Sequence, residues 1–427
     1  MCRLRSKLGL KIDLLLLTRI KKQSFVTVIA LCFIFVGSII CAGFSGKLSV
    51  GSVKEISIDS FAGSLSCRNC HKDIYDTHIH TAHYLSSKPA SEEYIKGSFD
   101  SGQNKFIYNK FMEVALEKTG SGFFQTSLIN GAPLQSERFD IVVGSGRKGQ
   151  TYLYWNENRL YQLPVSYYSP LKSWCNSPGY IAGFINYMRP ISSRCIECHG
   201  TYAKAETIDS VTIIFDKESI IYGVDCERCH GPSAAHVKFH TDNPNNTISK
   251  YTINPKLLSR QQRLDACALC HSGLRKQVKP SFSFMEGDRL EDFSLLTYDK
   301  EGAPSLDVHG NQYGLLTSSK CFLKSGTMDC SSCHNVHKEE IKAPELFSMR
   351  CMNCHNENLH NNCTLPEVKN KSLTSNCIDC HMPVLPSNQI FLQLDDPKKS
   401  TPDFVRTHRI AIYPDATKAF LKKIKNK

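Results

Sequence analysis

Hydrophobic and polar positions divide the chain into three textures. Phe25 to Phe44 is an unbroken run without a charged residue, long enough to cross a bilayer as a helix. Basic residues crowd the segment before it, and positive flanks stay on the cytoplasmic side. The pattern predicts a basic cytoplasmic tail over 1–22 and a transmembrane signal anchor over 23–44. A Gly/Ser-rich linker follows over 45–66, and everything beyond it lies outside the cytoplasm. The second texture lies between residues 84 and 190. Phe139–Gly144, Gln150–Trp155 and Arg159–Val165 are rich in aromatic and β-branched residues, which predicts strands, with Trp155–Arg159 as a hairpin turn. The third texture covers most of the rest. Pro232, Pro244, Pro280, Pro304, Pro344 and Pro383 interrupt short apolar runs, predicting brief helices and irregular segments. Thr417–Lys425 reads as a short basic helix. The expected fold is therefore mainly α and irregular, with a small β-rich insertion and an N-terminal transmembrane helix.

Charge sharpens this picture in one respect. The formal net charge is +12, which on its own suggests a nucleic-acid partner. Eight of the cations, Arg3, Arg5, Lys7, Lys11, Arg19, Lys21, Lys22 and Lys47, fall in the first 50 residues against one anion, Asp13. The remainder is close to balanced, so nucleic acid is not an expected partner.

The chemistry is carried by cysteine and histidine. Cys67-Arg-Asn-Cys70-His71 is the first of seven copies of one five-residue pattern. The others are Cys195–Cys198–His199, Cys226–Cys229–His230, Cys267–Cys270–His271, Cys330–Cys333–His334, Cys351–Cys354–His355 and Cys377–Cys380–His381. C-x-x-C-H is the attachment signature of c-type haem: two thiols bond the porphyrin edge and the adjacent imidazole ligates iron. Zinc takes Cys pairs two at a time and has no need of a His after each second Cys, and disulfides need no His. Seven covalently attached haems c are expected, one in 67–190 beside the β-rich insertion and six in a core over 191–427. Attachment of such haems is completed after export, in agreement with the predicted orientation.

Nine histidines remain outside the motifs: His78, His80, His83, His236, His240, His309, His337, His360 and His408. A second imidazole closes a haem iron and makes it a stable one-electron carrier, whereas an open position admits substrate. His78 and His80 are the candidates for proton transfer at an open iron.

These motifs resemble the multihaem cytochromes related to cytochrome c-554 of ammonia oxidisers, a family grouped with hydroxylamine oxidoreductase, pentahaem nitrite reductase and octahaem tetrathionate reductase. The resemblance is carried by Cys67–His71 followed by Tyr75 and Thr81-Ala82-His83, and by Cys226-Glu-Arg-Cys229-His230-Gly231-Pro232 with His236. Asp307-Val-His309-Gly310, Cys330–His334 with His337, Cys377–His381-Met382-Pro383 and Arg406-Thr-His408-Arg409 follow in the same order. It implies that His83, His236, His309, His337, His408 and His360 are distal iron ligands. No C-x-x-C-K occurs, unlike the active haem of the nitrite-reductase branch.

The expected function is a membrane-anchored heptahaem electron carrier in a bacterial inner membrane, its haem domain facing the periplasm. Its expected partners are the membrane, through the N-terminal helix, and other redox proteins such as quinol oxidase or dehydrogenase components. The alternative is an oxidoreductase acting on a small nitrogen or sulfur compound at one five-coordinate haem. Of the exported cysteines outside the motifs, Cys321 and Cys363 are candidates for a disulfide, with Cys175 left free.

Overall fold

A computed structural model describes residues 56–426, apart from 210, 298–305, 341–343, 357–362, 364, 367–375 and 395–399. Eleven strands fall between residues 87 and 190. β2 (Lys105–Asn109), β3 (Met112–Thr119), β4 (Gly122–Ile129) and β5 (Ala132–Arg138) form an antiparallel meander. A seven-stranded sheet runs β1 (Ser87–Pro89), β6 (Ile141–Val143), β7 (Gly149–Asn156), β8 (Arg159–Gln162) and β11 (Arg189–Pro190). β9 (Val165–Tyr168) pairs with β7 and with β10 (Ser173–Asn176).

Period-two alternation explains how these sheets pack. Val114 and Leu116 of β3 join Phe106, Tyr108, Tyr152, Tyr154, Leu163, Val165 and Trp174 in one buried aromatic core. The intervening residue of β7, Leu153, points the other way. It packs with Ile141, Leu160, Ile191, Ile196, Tyr202, Phe215 and Phe282 in a second core. Gln125 is fully buried between the sheets and pairs with one residue: its Nε2 donates to the Val165 carbonyl at 2.7 Å and its Oε1 accepts from Val165 N at 3.0 Å. The side-chain amide thus imitates a strand neighbour where a backbone would otherwise lack one.

Two expectations are corrected here. The fold is not mainly α, because strand and helix contribute almost equally. β6, β7 and β8 coincide with the strand-like segments of the sequence. β2 to β4, with Phe106, Tyr108, Val114 and Leu116 in the core, lie outside the segments read as strands from the sequence, and β5, with Pro133, Gln135, Ser136 and Glu137, is largely exposed. The second correction concerns the membrane. Among the described residues no helix is long and apolar enough to cross a bilayer, which runs against an inner-membrane protein held by an N-terminal helix. Residues 23–44, on which that expectation rested, lie outside the described residues, and the assignment is withdrawn.

Helices elsewhere are short, and among the described residues Ser193–His199, Cys226–His230, Arg260–His271 and Cys377–His381 carry a complete Cys-x-x-Cys-His motif. The longest of these, Arg260–His271, opens on a capping box between Ser259 and Gln262, which satisfies two otherwise orphaned amides. The C-terminal helix Pro414–Lys425 extends the predicted basic helix by one turn at its start.

Candidate metal centres

Each motif occupies a single helical turn, which brings the two cysteines, three residues apart, to one side. His71 N donates to the Cys67 carbonyl at 2.8 Å, His334 N to Cys330 at 3.0 Å and His355 N to Cys351 at 2.9 Å. Acidic side chains fix these turns. Asp225 caps the helix Cys226–His230, accepting from Cys226 N at 2.7 Å. Asp329 caps the turn Cys330–Ser332 and accepts from Arg263 Nε at 2.6 Å. Glu227, inside the third motif, reaches a different one. It accepts from Ala62 N, Gly63 N and Ser233 N, each at 2.8 Å, and so holds the start of the first motif's helix, Ser64–Arg68, against the third.

The thiols show which motifs are neighbours. Cys67 lies close enough to Cys226 to affect its ionisation, as do Cys198 and Cys270, Cys267 and Cys330, and Cys351 and Cys377. The motifs therefore adjoin in space as first with third, second with fourth, fourth with fifth, and sixth with seventh. Arg350 adds a bridge between the fifth and sixth, donating to the Cys333 carbonyl at 2.6 Å while its guanidinium holds Glu340 at 2.6 and 2.8 Å. Cys321 and Cys363 are both free thiols. Cys321 lies near Cys354, and Cys363 near Cys380, so the proposed disulfide between them is not formed.

Histidine rings provide the test of whether iron fits. Metal–imidazole bonds of about 2 Å on opposite faces of one metal, with each ring centre about 1.2 Å beyond its nitrogen, separate the two centres by roughly 6 Å. His230 and His337 are 6.1 Å apart, His83 and His271 6.1 Å, and His334 and His408 6.2 Å. Each pair joins one motif histidine to one of the expected distal ligands. Burial lowers His83 to about 4 and His408 to about 4, so both rings are neutral near pH 7 and keep a lone pair for a metal. His408 Nδ1 and His199 Nδ1 are buried without a hydrogen-bond partner.

The other ring nitrogen is oriented in several cases. His230 Nδ1 donates to the Ile253 carbonyl at 2.9 Å, and His381 Nδ1 to Ala411 at 2.9 Å. His271 Nδ1 lies 3.2 Å from Gln312 Oε1. A donating Nδ1 leaves Nε2 as the ligating atom. His236 Nδ1 donates to the Lys250 carbonyl at 2.8 Å, and His309 Nδ1 lies 3.2 Å from Asp403 Oδ2. Both are thus set as ligands are, but His236 packs edge-on to His240 at 4.6 Å. His71, His199 and His381 meet no second imidazole at the axial spacing among the described residues. His360 lies outside them.

The candidate catalytic histidines separate. His80 is exposed. His78 is buried 6.1 Å from His337, with its Nε2 donating to the Val224 carbonyl at 3.3 Å. Burial, the larger effect, lowers its proton affinity against the pull of Asp225. His337 thus has two imidazoles, His78 and His230, at the same 6.1 Å spacing, the His230 ring nearly parallel to it and the His78 ring edge-on. Among the described residues, no three His, Cys, Asp or Glu side chains converge to hold a bare ion, unlike a closed zinc shell.

Comparison with known proteins agrees with this donor set. A family model described as cytochrome c554 and c-prime matches residues 185–231, which contain the second and third motifs. The multiheme cytochrome MtrA of Shewanella baltica is 25% identical over 204 residues, covering 46% of this chain and 54% of that protein. These similarities support a multihaem c-type cytochrome. The cytochrome spans about half the length of the curated relative it matches. The crystal structure of the outer cell wall cytochrome OcwA superposes with a TM-score of 0.50 at 17% identity, over 84% of this cytochrome and 81% of that chain, a likeness of fold. These similarities agree with covalent attachment of haem c at the Cys-x-x-Cys-His motifs.

Proposed function

We propose that the cytochrome carries seven haems c and passes electrons between other redox proteins. The supporting observation is the spacing of three imidazole pairs, His230–His337, His83–His271 and His334–His408, at the separation two axial ligands require. When bound, haem supplies reversible one-electron storage at iron. The chain's own residues supply the rest. Cysteine pairs would fix each ring and the motif histidine with its distal partner would ligate the iron, while the Ile253 and Ala411 carbonyls hold His230 and His381 in one tautomer. His236, His309 and His360 are the further distal ligands in this reading. The contacts between motifs order the haems as a path, with the fourth joining the second to the fifth and the Arg350–Cys333 bond joining the fifth to the sixth. Ligand donors from remote segments, as with His83 facing His271, lock neighbouring haems to one another as the chain folds. On this reading the cytochrome shares the larger group of hydroxylamine oxidoreductase and the pentahaem nitrite reductases through common motif order.

Low-temperature EPR of the oxidised, haem-loaded full chain, with mass spectrometry to count haems, tests this. Seven covalent haems giving only low-spin signals are expected. A high-spin ferric signal that shifts with nitrite, hydroxylamine or cyanide would reveal an open iron and overturn the carrier reading.

A further inference from the structure

The third motif places a guanidinium inside the protein. Arg228, between Cys226 and Cys229, is 7% exposed, and its Nη2 is buried without a hydrogen-bond partner. It faces a cavity of about 10 Å³, the size of one water, lined also by Glu227, Pro232, Phe282, Met285 and Glu286. Glu286, also 7% exposed, enters from a separate loop. That loop packs on the end of the motif, since a Cβ added to Gly231 would come within 3.2 Å of Met285 Cε. The charge of Glu286 reaches Cys229, one of the two sulfurs that fix the third haem.

Three carboxylates surround Arg228, and two are already committed. Glu197 accepts from Arg194 Nη1 at 2.7 Å and from Phe282 N at 2.6 Å. Glu227 holds its three amides, and Tyr202 Oη donates to the Ile56 carbonyl. Asp288, on the same loop as Glu286, accepts from Met285 N at 3.0 Å. Glu286 is the group left to balance Arg228. Burial raises its pKa to about 7, with Arg228 opposing and Asp288 reinforcing the rise.

We propose that Glu286, facing Arg228 across this cavity, is a proton-binding site that fills when the haem of the third motif is reduced. An electron arriving at iron removes one positive charge from a region of low dielectric, which raises the proton affinity of a nearby carboxylate. With haem held at this motif, one electron reaching it from an adjoining haem would be matched by one proton moving from solvent to the Glu286 carboxylate, leaving the local net charge unchanged. Electron transfer through this haem is then linked to pH. The proposal rests on haem occupying the third motif, which peptide mass spectrometry establishes separately.

Redox potentiometry of the haem-loaded full chain, across a pH range centred on neutrality, tests it. One haem is expected to fall in potential by up to about 59 mV per pH unit, the tenfold change in proton activity converted for one electron. Glu286→Gln abolishes that slope, and Glu286→Asp keeps it with a displaced midpoint. Reduced-minus-oxidised infrared spectra of the unaltered protein should show a protonated carboxyl band that shifts in D₂O and is missing from Glu286→Gln. A slope and band that survive in Glu286→Gln would assign the proton to another group, such as a haem propionate. Neither slope nor band in the unaltered protein would overturn the proposal without any variant, leaving the carrier reading intact.

Discussion

Replacing Glu227 by Ala removes one buried side chain and orphans three backbone donors, Ala62 N, Gly63 N and Ser233 N, all at 2.8 Å from its carboxylate. An unsatisfied buried donor costs about 1–3 kcal/mol. Ser233 is 4% exposed and takes a middle value of about 2 kcal/mol, while Ala62 and Gly63 are half-buried and take about 1 kcal/mol each. The total is about 4 kcal/mol. The loss is local, because Gly63, at φ +74°, caps the helix Ser64–Arg68 with no side-chain hydrogen bond of its own. Hydrogen exchange read by mass spectrometry on the haem-loaded chain resolves it. At about 1.4 kcal/mol per tenfold, segments containing Ala62, Gly63 and Ser233 should exchange roughly 10³-fold faster. Glu227→Gln, which retains one acceptor oxygen, should fall between the two. A change smaller than about tenfold in Glu227→Ala would refute the idea that this carboxylate joins the first and third motifs.

Three further outcomes follow from the same geometry. His337→Ala should turn the haem of His230 high-spin by EPR while the His334–His408 haem stays low-spin; a high-spin signal assigned to His334 instead would contradict the pairing. Glu340 is held down to about 2, chiefly by its hydrogen bonds from Arg350. A depressed carboxylate stabilises above its unfolded value, about 4.3, and loses that contribution as pH falls from there toward 2. The melting difference between the unaltered protein and Glu340→Gln should therefore be present at neutral pH and close through this acidic window, and a gap constant with pH would exclude the ion pair as its cause. Alkylation of the native, unreduced protein followed by peptide mapping should find Cys321 and Cys363 without a disulfide between them.

The seven motifs were fully legible because each is local, five consecutive residues that fold as one turn. The distal histidines were legible as residues but not as pairs. His337 follows His334 by three positions, yet its ring faces His230, and His83 follows the first motif yet faces the fourth. Sequence distance carries no information about which imidazole reaches which face of which iron. Glu227, Asp329 and Gln312 went unnoticed as supporting groups, although an acid inside or just before a Cys-x-x-Cys turn was a usable signal for the first two. In the fold, β7 announced itself through Tyr152, Leu153 and Tyr154, all buried. β5 could not, because a strand at the edge of a meander needs little apolar surface.

Leu153 and its neighbours Tyr152 and Tyr154 serve different interiors from one strand. β7 is thus a party wall, and neither room can be remodelled alone. A deletion that trimmed the β-rich region to make a smaller cytochrome would strip the backing from Ile191 and Ile196, and Ile196 lies within the second motif itself. Any smaller version would have to rebuild that wall in the same step, because the sheet and the second motif share one interior.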